Sequence, residues 1–240
     1  MTVPRSRLGR FSAWLGRLAI LAALVGPAIA HFEVVEAFSG FKVFALGVLL
    51  ALVSLLCGVL ALALGPGGTR GASGRALLLP LGLLLVVLAA AGVTHPTPRI
   101  NDITTDTVNP PTFLRAQTLP ENVGRDMRYP GEAFARQQRE GYGEIAPAVL
   151  PLPPDEAFKR VAAAVRSMNG WVITREDAQA RALEGYDTTR LFRFKDDFVI
   201  EVRDSNGQSV VQMRSKSRNG QGDTGANAKR IQTFLAQLKE

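Results

Sequence analysis

The clearest chemical signal in this sequence is a predicted strand near the C-terminus, in which hydroxyl and basic residues alternate. Period-two alternation over Val210–Arg218 places Ser215 and Ser217 on one face and a mainly basic set on the other. This basic set is Gln212, Arg214, Lys216 and Arg218, and neighbouring strands could add Arg193, Lys195 and Arg203. Such a face suits phosphate, carboxylate or an acidic partner. The alternative is a solvated outer face with Glu201 and Asp204 interspersed.

A glycine-rich loop, 219–227, follows this strand and leads into a predicted helix over about Thr224–Leu238. Free N–H groups at a helix start attract anions, and the glycines allow close backbone approach. Asp223 favours the alternative of a structural turn, because its carboxylate can cap those N–H groups. The predicted ligand-binding cluster combines loop, helix and strand: Arg214, Ser215, Arg218, Asp223, Asn227 and Arg230.

A second oxygen-rich run, 101–106, forms another candidate cluster with Asp102, Thr105 and Asp106. The run lacks the glycine and the distal glutamate of an EF-hand loop, so turns and capping are favoured over calcium. The single cysteine, Cys57, lies inside an apolar run, which excludes a disulfide framework and a thiolate zinc site. We predict neither a metal nor a cofactor.

Nucleophilic catalysis has little support in the sequence. The two histidines, His31 and His95, precede the predicted folded C-terminal region, so a serine nucleophile there lacks a histidine base. The serine-x-x-lysine spacing is also absent. We therefore expect a protein that is not an enzyme and has no catalytic residues. A hydrolase using carboxylates such as Asp102, Asp106 or Asp223 remains the alternative.

Regular elements begin after Pro154. A helix capped by Asp155 precedes strands at Trp171–Arg175, about Ala182–Thr188, and Val210–Arg218. Two further strands, Arg190–Lys195 and Phe198–Arg203, would flank a hairpin turn at Asp196-Asp197. With the last helix, residues 155–240 are predicted to form an α+β domain: an antiparallel sheet of four or five strands with two flanking helices.

Residues 94–154 hold ten of the fourteen prolines, so long helices and central strands are not expected there. One short helix, about Gly131–Glu140, fits the pattern. Apolar residues recur throughout this segment, and sixty irregular residues would be unusual as a mere linker. We predict that it wraps against the α+β domain and that residues 94–240 form one extracytoplasmic unit.

Residues 1–93 read as a membrane anchor with helices at about 11–30, 41–64 and 76–93. Basic residues cluster before the first helix and between the second and third, whereas the loop 31–40 carries Glu33 and Glu36. The positive-inside rule then predicts a cytoplasmic N-terminus, with everything after Val93 outside, as in a multi-pass protein of a bacterial inner membrane with a periplasmic domain. Residues 1–30 also fit the alternative of a cleaved signal peptide.

The high pI does not indicate nucleic-acid binding. The formal net charge of the chain is +7. The first 93 residues contain seven basic and two acidic residues, so +5 of this charge lies beside the apolar runs. The remaining chain carries 21 basic and 19 acidic residues, a net charge of +2. The excess charge therefore flanks membrane segments.

Several motifs of the C-terminal region resemble the family known as domain of unknown function 1499. They are the run 100–108, Pro110–Phe113, Tyr129-Pro130, Gln137-Gln138, and the run 214–231 with Phe234 and Leu235. The resemblance covers roughly Pro96–Leu238. Members are typically envelope or lumenal proteins, with or without membrane anchors. It implies that the aspartate–threonine run and the late arginine–serine–glycine run belong to one structural unit.

These observations together predict a membrane protein of uncharacterised function that presents an extracytoplasmic binding or interaction domain. Its expected partners are the lipid bilayer and an anionic ligand or acidic envelope protein. The alternatives are the carboxylate hydrolase and a structural partner of another membrane protein, whose sign would be an exposed apolar patch.

Overall fold

The computed structural model describes residues 7–67, 70–91 and 98–239. They fall into two compact units, one within Met1–His95 together with Arg190–Arg193, and one within Pro96–Thr189 and Phe194–Glu240. The predicted end of the third span at Val93, the boundary at Thr94 and His95 lie outside the described residues. The first unit is helical, and the second is built on an antiparallel sheet.

Three apolar helical stretches in the first unit confirm the predicted membrane helices. The helices are α1 (Arg7–His31), α2 (Ala37–Leu64), α3 (Arg70–Ala76) and α4 (Leu78–Ala91). Three stretches are long and apolar enough to cross a membrane: Arg7–His31, Ala37–Leu64 and Arg70–Ala90. The third begins at Arg70 rather than at Ala76 and is interrupted at Leu77. Pro80 explains the interruption, because a proline ring clashes with the carbonyl four residues earlier.

Helices α1 and α2 pack through small residues along most of their length. A Cβ added at Gly26 would lie 2.6 Å from the carbonyl oxygen of Gly40, so the two backbones meet without side chains between them. The hydroxyl of Ser12 donates to the Ser54 carbonyl at 2.9 Å, and the Ser54 hydroxyl donates to the Ser12 carbonyl at 2.8 Å. Close approach of small residues and hydrogen bonds between helices are what hold helices together in lipid.

The second unit contains a six-stranded antiparallel sheet. Its strands are β1 (Asp102–Thr104), β2 (Ala148–Leu150), β3 (Trp171–Asp177), β4 (Ala182–Thr188), β5 (Lys195–Ser205) and β6 (Gln208–Ser217). The order is β1-β6-β5-β4-β3, and β2 also pairs with β6. The fold class is therefore as predicted. The two extra strands, β1 and β2, come from the proline-rich segment and have only three residues each.

The predicted hairpin turn at Asp196-Asp197 is wrong. Both aspartates lie within β5, and the preceding strand predicted at Arg190–Lys195 is a turn up to Phe194, closed by a hydrogen bond from the Thr189 N–H to the Phe194 carbonyl. Arg193 has a φ of 62° and does not join the basic sheet face. The aspartates tolerate a strand because each is neutralised by an arginine on its own side of the sheet, Asp196 by Arg230 and Asp197 by Arg218.

Two helices cover one face of the sheet, called here the helix face. They are α6 (Pro154–Ser167) and α7 (Ala226–Lys239), and both supply residues to the main hydrophobic core. Asp155 lies in the first turn of α6 rather than capping it, since the cap position is Pro153. Within the sheet, Gly185 is required because a Cβ there would collide with the Val172 carbonyl and the Phe198 ring.

The opposite face of the sheet is covered by residues 105–130, called here the strap. Apart from two short 3-10 turns at Ala116–Thr118 and Pro120–Asn122, the strap is irregular. A small second core joins it to the sheet and consists of Phe113, Ala116, Met127 and Val199. The strap is followed by α5 (Glu132–Gly141), close to the predicted short helix. The strap therefore shields the centre of this face, called here the strap face, from solvent.

Candidate functional site

The alternation predicted for β6 is observed, but it does not produce an open basic surface. Arg214, Lys216 and Arg218 lie on the strap face, and Arg214 is only 2% exposed. Neither alternative considered from the sequence, a free anion-binding face or a solvated one, describes a face that the strap covers. Buried cations of this kind need partners, and two buried carboxylates, Asp102 and Asp197, supply them.

Asp102 holds two of these cations. The Arg214 Nε and Nη2 atoms donate to the two Asp102 carboxylate oxygens, both at 2.8 Å, and Lys216 Nζ donates to Oδ2 at 2.8 Å. The guanidinium also donates to the carbonyls of Pro111 at 3.2 Å and Met127 at 3.0 Å, which ties the strap to β6 at two points. All three guanidinium nitrogens of Arg214 therefore donate to acceptors within the domain, and its role is structural.

Two aromatic rings lie close to this guanidinium. Its central carbon lies 4.8 Å from the Phe113 ring centroid and 5.4 Å from that of Tyr129. Burial, with a smaller contribution from the negative charge of Asp102, raises the pKa of Tyr129 to about 12. The tyrosine therefore stays neutral at physiological pH, and its ring contacts the guanidinium as an uncharged group.

Asp197 joins the strap to the residues at the end of β6. Its carboxylate accepts from Arg218 Nε at 3.1 Å and Nη2 at 2.6 Å, and from Asn122 Nδ2 at 3.0 Å. Arg125 of the strap lies 3.3 Å from the same carboxylate and donates to the Ser217 carbonyl at 2.6 Å. Burial lowers the pKa of Arg125, and the charge of Asp197 opposes that shift.

Glu184, on β4, is the third buried carboxylate. It accepts hydrogen bonds from the backbone N–H groups of Leu114, Arg115 and Ala116 at 2.9–3.1 Å. Arg175 lies 3.3 Å from it. A carboxylate that collects three consecutive N–H groups fixes the strap backbone, so its role is structural.

The remaining members of the predicted cluster meet on the helix face. Arg230 donates to Asn227 Oδ1 at 2.7 Å and to Ser215 Oγ at 3.0 Å, and it pairs with Asp196 at 2.7 Å and Asp187 at 3.0 Å. Ser215 and Asn227 are completely buried. Ser215 of β6 therefore lies beside the start of α7, whereas Arg214 and Arg218, which were expected in the same cluster, lie on the other side of the sheet.

Asp223 caps α7. Its two carboxylate oxygens accept from the N–H groups of Gly225 at 3.0 Å and Asn227 at 2.7 Å. Burial raises the pKa of Asp223, and these two hydrogen bonds oppose the shift. The carboxylate thus occupies the helix N-terminus that an anion would otherwise use.

The three members of the second predicted cluster have three different roles. Asp102 is the ion-pair centre described above. The Thr105 hydroxyl accepts the Met213 N–H at 2.9 Å, extending the pairing of β1 with β6. Asp106 accepts the N–H groups of Val108 and Asn109, both at 2.9 Å, as an Asx turn. These bonds lower the pKa of Asp106 against the opposing effect of burial, which is the largest single cause.

Sequence reasoning missed the buried acids Asp197 and Glu184 and the amide of Gln138. Gln138 pairs with the backbone of Thr104, accepting its N–H at 3.0 Å and donating to its carbonyl at 2.6 Å. The available signal was an acid inside an apolar strand, as in the run Asp197–Val199. Among the described residues, no group of three or more histidine, cysteine, aspartate or glutamate side chains could hold a metal ion.

One part of the basic set remains accessible at the rim of the strap. Lys195, at the start of β5, is half-buried, and its ammonium lies 5.2 Å from the Tyr186 ring centroid. The Arg218 guanidinium lies 4.9 Å from the same ring. Within the described part of the chain, no carboxylate lies within 4.0 Å of the Lys195 ammonium.

A comparison with family models matches residues 102–238, from β1 to α7, to the family described as "Protein of unknown function (DUF1499)". The match spans the strap and the whole sheet and excludes helices α1 to α4. It includes both the aspartate–threonine run and the late arginine–serine–glycine run, which lie side by side as β1 and β6. Among curated proteins, none matches the chain.

Proposed function

Since the chain belongs to the DUF1499 family of proteins of unknown function, we propose a function from its own geometry: a membrane protein that presents a non-catalytic binding domain outside the cytoplasm. The proposed ligand is an anion or an acidic partner in the cell envelope. The proposal rests on one difference between the charged groups. The buried acids form ion pairs with arginines of the same domain, whereas the Lys195 ammonium at the rim is paired with no carboxylate of the described residues.

The proposed orientation has a cytoplasmic N-terminus and a periplasmic sheet domain in a bacterial inner membrane. Arg7, Arg10 and Arg17 lie in the first half of α1, and Arg70 and Arg75 lie in α3. Their positions favour a cytoplasmic location for these ends under the positive-inside rule. Three spans would then put the residues after α4 on the opposite side from the N-terminus.

We propose further that α1 is retained rather than cleaved as a signal. Its small-residue face and the paired hydrogen bonds of Ser12 and Ser54 support this, because removal of α1 would leave the Ser54 hydroxyl and a glycine-rich face of α2 without their partner.

The hydrolase alternative finds no support in the carboxylates that it would need. Asp102 is bound by two cations, Asp106 accepts two turn N–H groups, and Asp223 caps a helix. An acid–base pair needs one carboxyl group free to exchange a proton with a substrate. The serine at the centre of the helix face, Ser215, is completely buried and bonded to Asn227 and Arg230.

Two experiments test the proposal. Reporter fusions after Glu240 and between Gly65 and Arg70 should place these points on opposite sides of the membrane, outside and inside respectively. The full chain, purified in a neutral detergent, should show a saturable rise in melting temperature with inorganic phosphate or polyglutamate, reduced by salt. A cytoplasmic C-terminus, or no rise with either anion, would overturn it and favour the structural partner of another membrane protein.

A further inference from the structure

We infer that the rim of the strap carries a binding site for a phosphate-type oxyanion, formed by Lys195, Arg218 and Arg99 around the loop 219–222. The inference rests on the proposed function, because it names the chemical class of the anionic ligand and the residues that would hold it. It differs from the cluster expected from the sequence, since only Arg218 is shared.

Lys195 provides the accessible charge. It sits beside Arg218 across the β5–β6 pair, where the Arg218 N–H donates to the Lys195 carbonyl at 3.1 Å. Both side chains lie on the strap face and contact the Tyr186 ring. An ammonium held over an aromatic ring keeps its N–H donors free for an anion, because the ring neutralises none of its charge.

Arg218 provides a preoriented guanidinium behind Lys195. Its Nε and Nη2 atoms are fixed by Asp197, and its side chain is 6% exposed. The third nitrogen, Nη1, is buried without a hydrogen-bond partner, and the Glu121 carboxylate lies 3.9 Å from it. Because Asp197 offsets its charge, Arg218 contributes an oriented guanidinium, and the net positive charge of the site comes from Lys195 and Arg99.

The loop 219–222 adds backbone donors. Within the described residues, none of its four N–H groups donates a hydrogen bond. The loop is held by Asn101, whose Nδ2 donates to the Gly220 carbonyl at 2.6 Å. Arg99 packs against Gly222 and is exposed, and it forms no ion pair with any described residue. A second unpaired cation thus flanks the loop.

The donor set favours a tetrahedral oxyanion over a carboxylate. A planar carboxylate is best recognised by the two-pronged edge of an arginine, and in Arg218 that edge is already occupied by Asp197. A phosphate presents three or more acceptor oxygens and up to two charges. It can therefore take an ammonium, a second arginine and backbone N–H groups from separate directions. A free phosphate and a lipid phosphate headgroup share this chemistry.

The test is a calorimetric titration of the full chain in neutral detergent with inorganic phosphate, and in a second arm with a short-chain phosphatidic acid. We expect Lys195→Ala to weaken binding by at least about tenfold, equivalent to ~1.4 kcal/mol. Lys195→Arg should keep most of the affinity, and Arg99→Ala should weaken it. Lys159→Ala, an exposed lysine of α6, is the matched control and should bind as wild type.

The outcomes separate the site from the proposed function. Binding of phosphate that is insensitive to Lys195→Ala would overturn the site and leave anion binding intact. Stabilisation by polyglutamate without any binding of phosphate or phosphatidic acid would overturn the ligand class only. Binding of phosphatidic acid alone, lost in Lys195→Ala, would support the site and identify the lipid headgroup as the source. No binding of any of these anions would overturn both proposals.

Discussion

Asp102 and Arg214, 112 positions apart in the chain, form a two-pronged ion pair in which both N–O distances are 2.8 Å. Asp102 is fully buried, and the arginine is nearly so. The pair joins the first strand of the sheet domain to its last, and the same arginine binds two strap carbonyls. One ionic contact therefore fixes the N-terminal strand, the strap and β6 together.

Asp102→Asn should be strongly destabilising, because it leaves Arg214 and Lys216 buried without a compensating charge. Removing one partner of a buried ion pair costs about 3–5 kcal/mol. The measurement is denaturant unfolding of the full chain in detergent, followed by tryptophan fluorescence. Asp126→Asn removes an exposed pair with Arg128 and should leave the unfolding midpoint unchanged. Equal effects of the two substitutions would contradict the structural role of Asp102.

Glu184→Gln should loosen the strap while the sheet remains intact. The amide nitrogen of glutamine would face backbone N–H groups that the carboxylate now accepts, leaving at least one of them unsatisfied. Hydrogen exchange followed by mass spectrometry should show amides 114–116 exchanging about tenfold faster or more, with β5 and β6 unaffected. Glu156→Gln, at an exposed position of α6, serves as the control. Uniform acceleration across the domain would argue against a separable strap.

Gly26→Ala should separate α1 from α2. The added methyl would lie 2.6 Å from the Gly40 carbonyl oxygen, so the two backbones must move apart. Gly82→Ala in α4 meets nothing within 4 Å and provides the matched control. The expected result is a lower melting temperature for Gly26→Ala only, measured on the full chain in detergent. A variant as stable as the control would show that the α1–α2 contact is not close-packed in the protein.

Asp223 should make stability depend on pH in the direction opposite to that of an ordinary ion-paired aspartate. Burial raises its pKa above the usual 3.8 despite its two backbone hydrogen bonds, so the folded state binds the proton more tightly than the unfolded state. Its contribution is present below about pH 3.8 and is lost as the pH rises through the folded value. Asp223→Asn retains an acceptor oxygen and does not titrate. Its melting temperature relative to wild type should therefore be higher at about pH 7 than at about pH 3.5, and a change in the reverse direction would refute this account.

The alternation of β6 could be predicted from the sequence because it depends only on local geometry. The sequence also predicted that the proline-rich segment wraps against the domain. It did not show that residues 105–130 cover the basic face of β6, because contacts such as that of Arg214 with the Pro111 carbonyl join residues 103 positions apart. β1 was missed because three residues are too short for a periodic pattern. Asp196-Asp197 resembled a turn because two adjacent acids are unusual in a strand unless cations neutralise them. Their neutralising partners, Arg230 and Arg218, lie elsewhere in the chain.

The span between Asp102 and Arg214 also sets the order in which the domain can be completed during synthesis. The ribosome makes Asp102 and the strap first, and the cations that hold them emerge only with the last strand. Until then Asp102 lacks the cations that neutralise it, and the strap lacks the two carbonyl contacts that Arg214 provides. The strap should therefore close last, after β6 has joined β5, and a nascent chain shortened before β6 should leave the strap open to proteases.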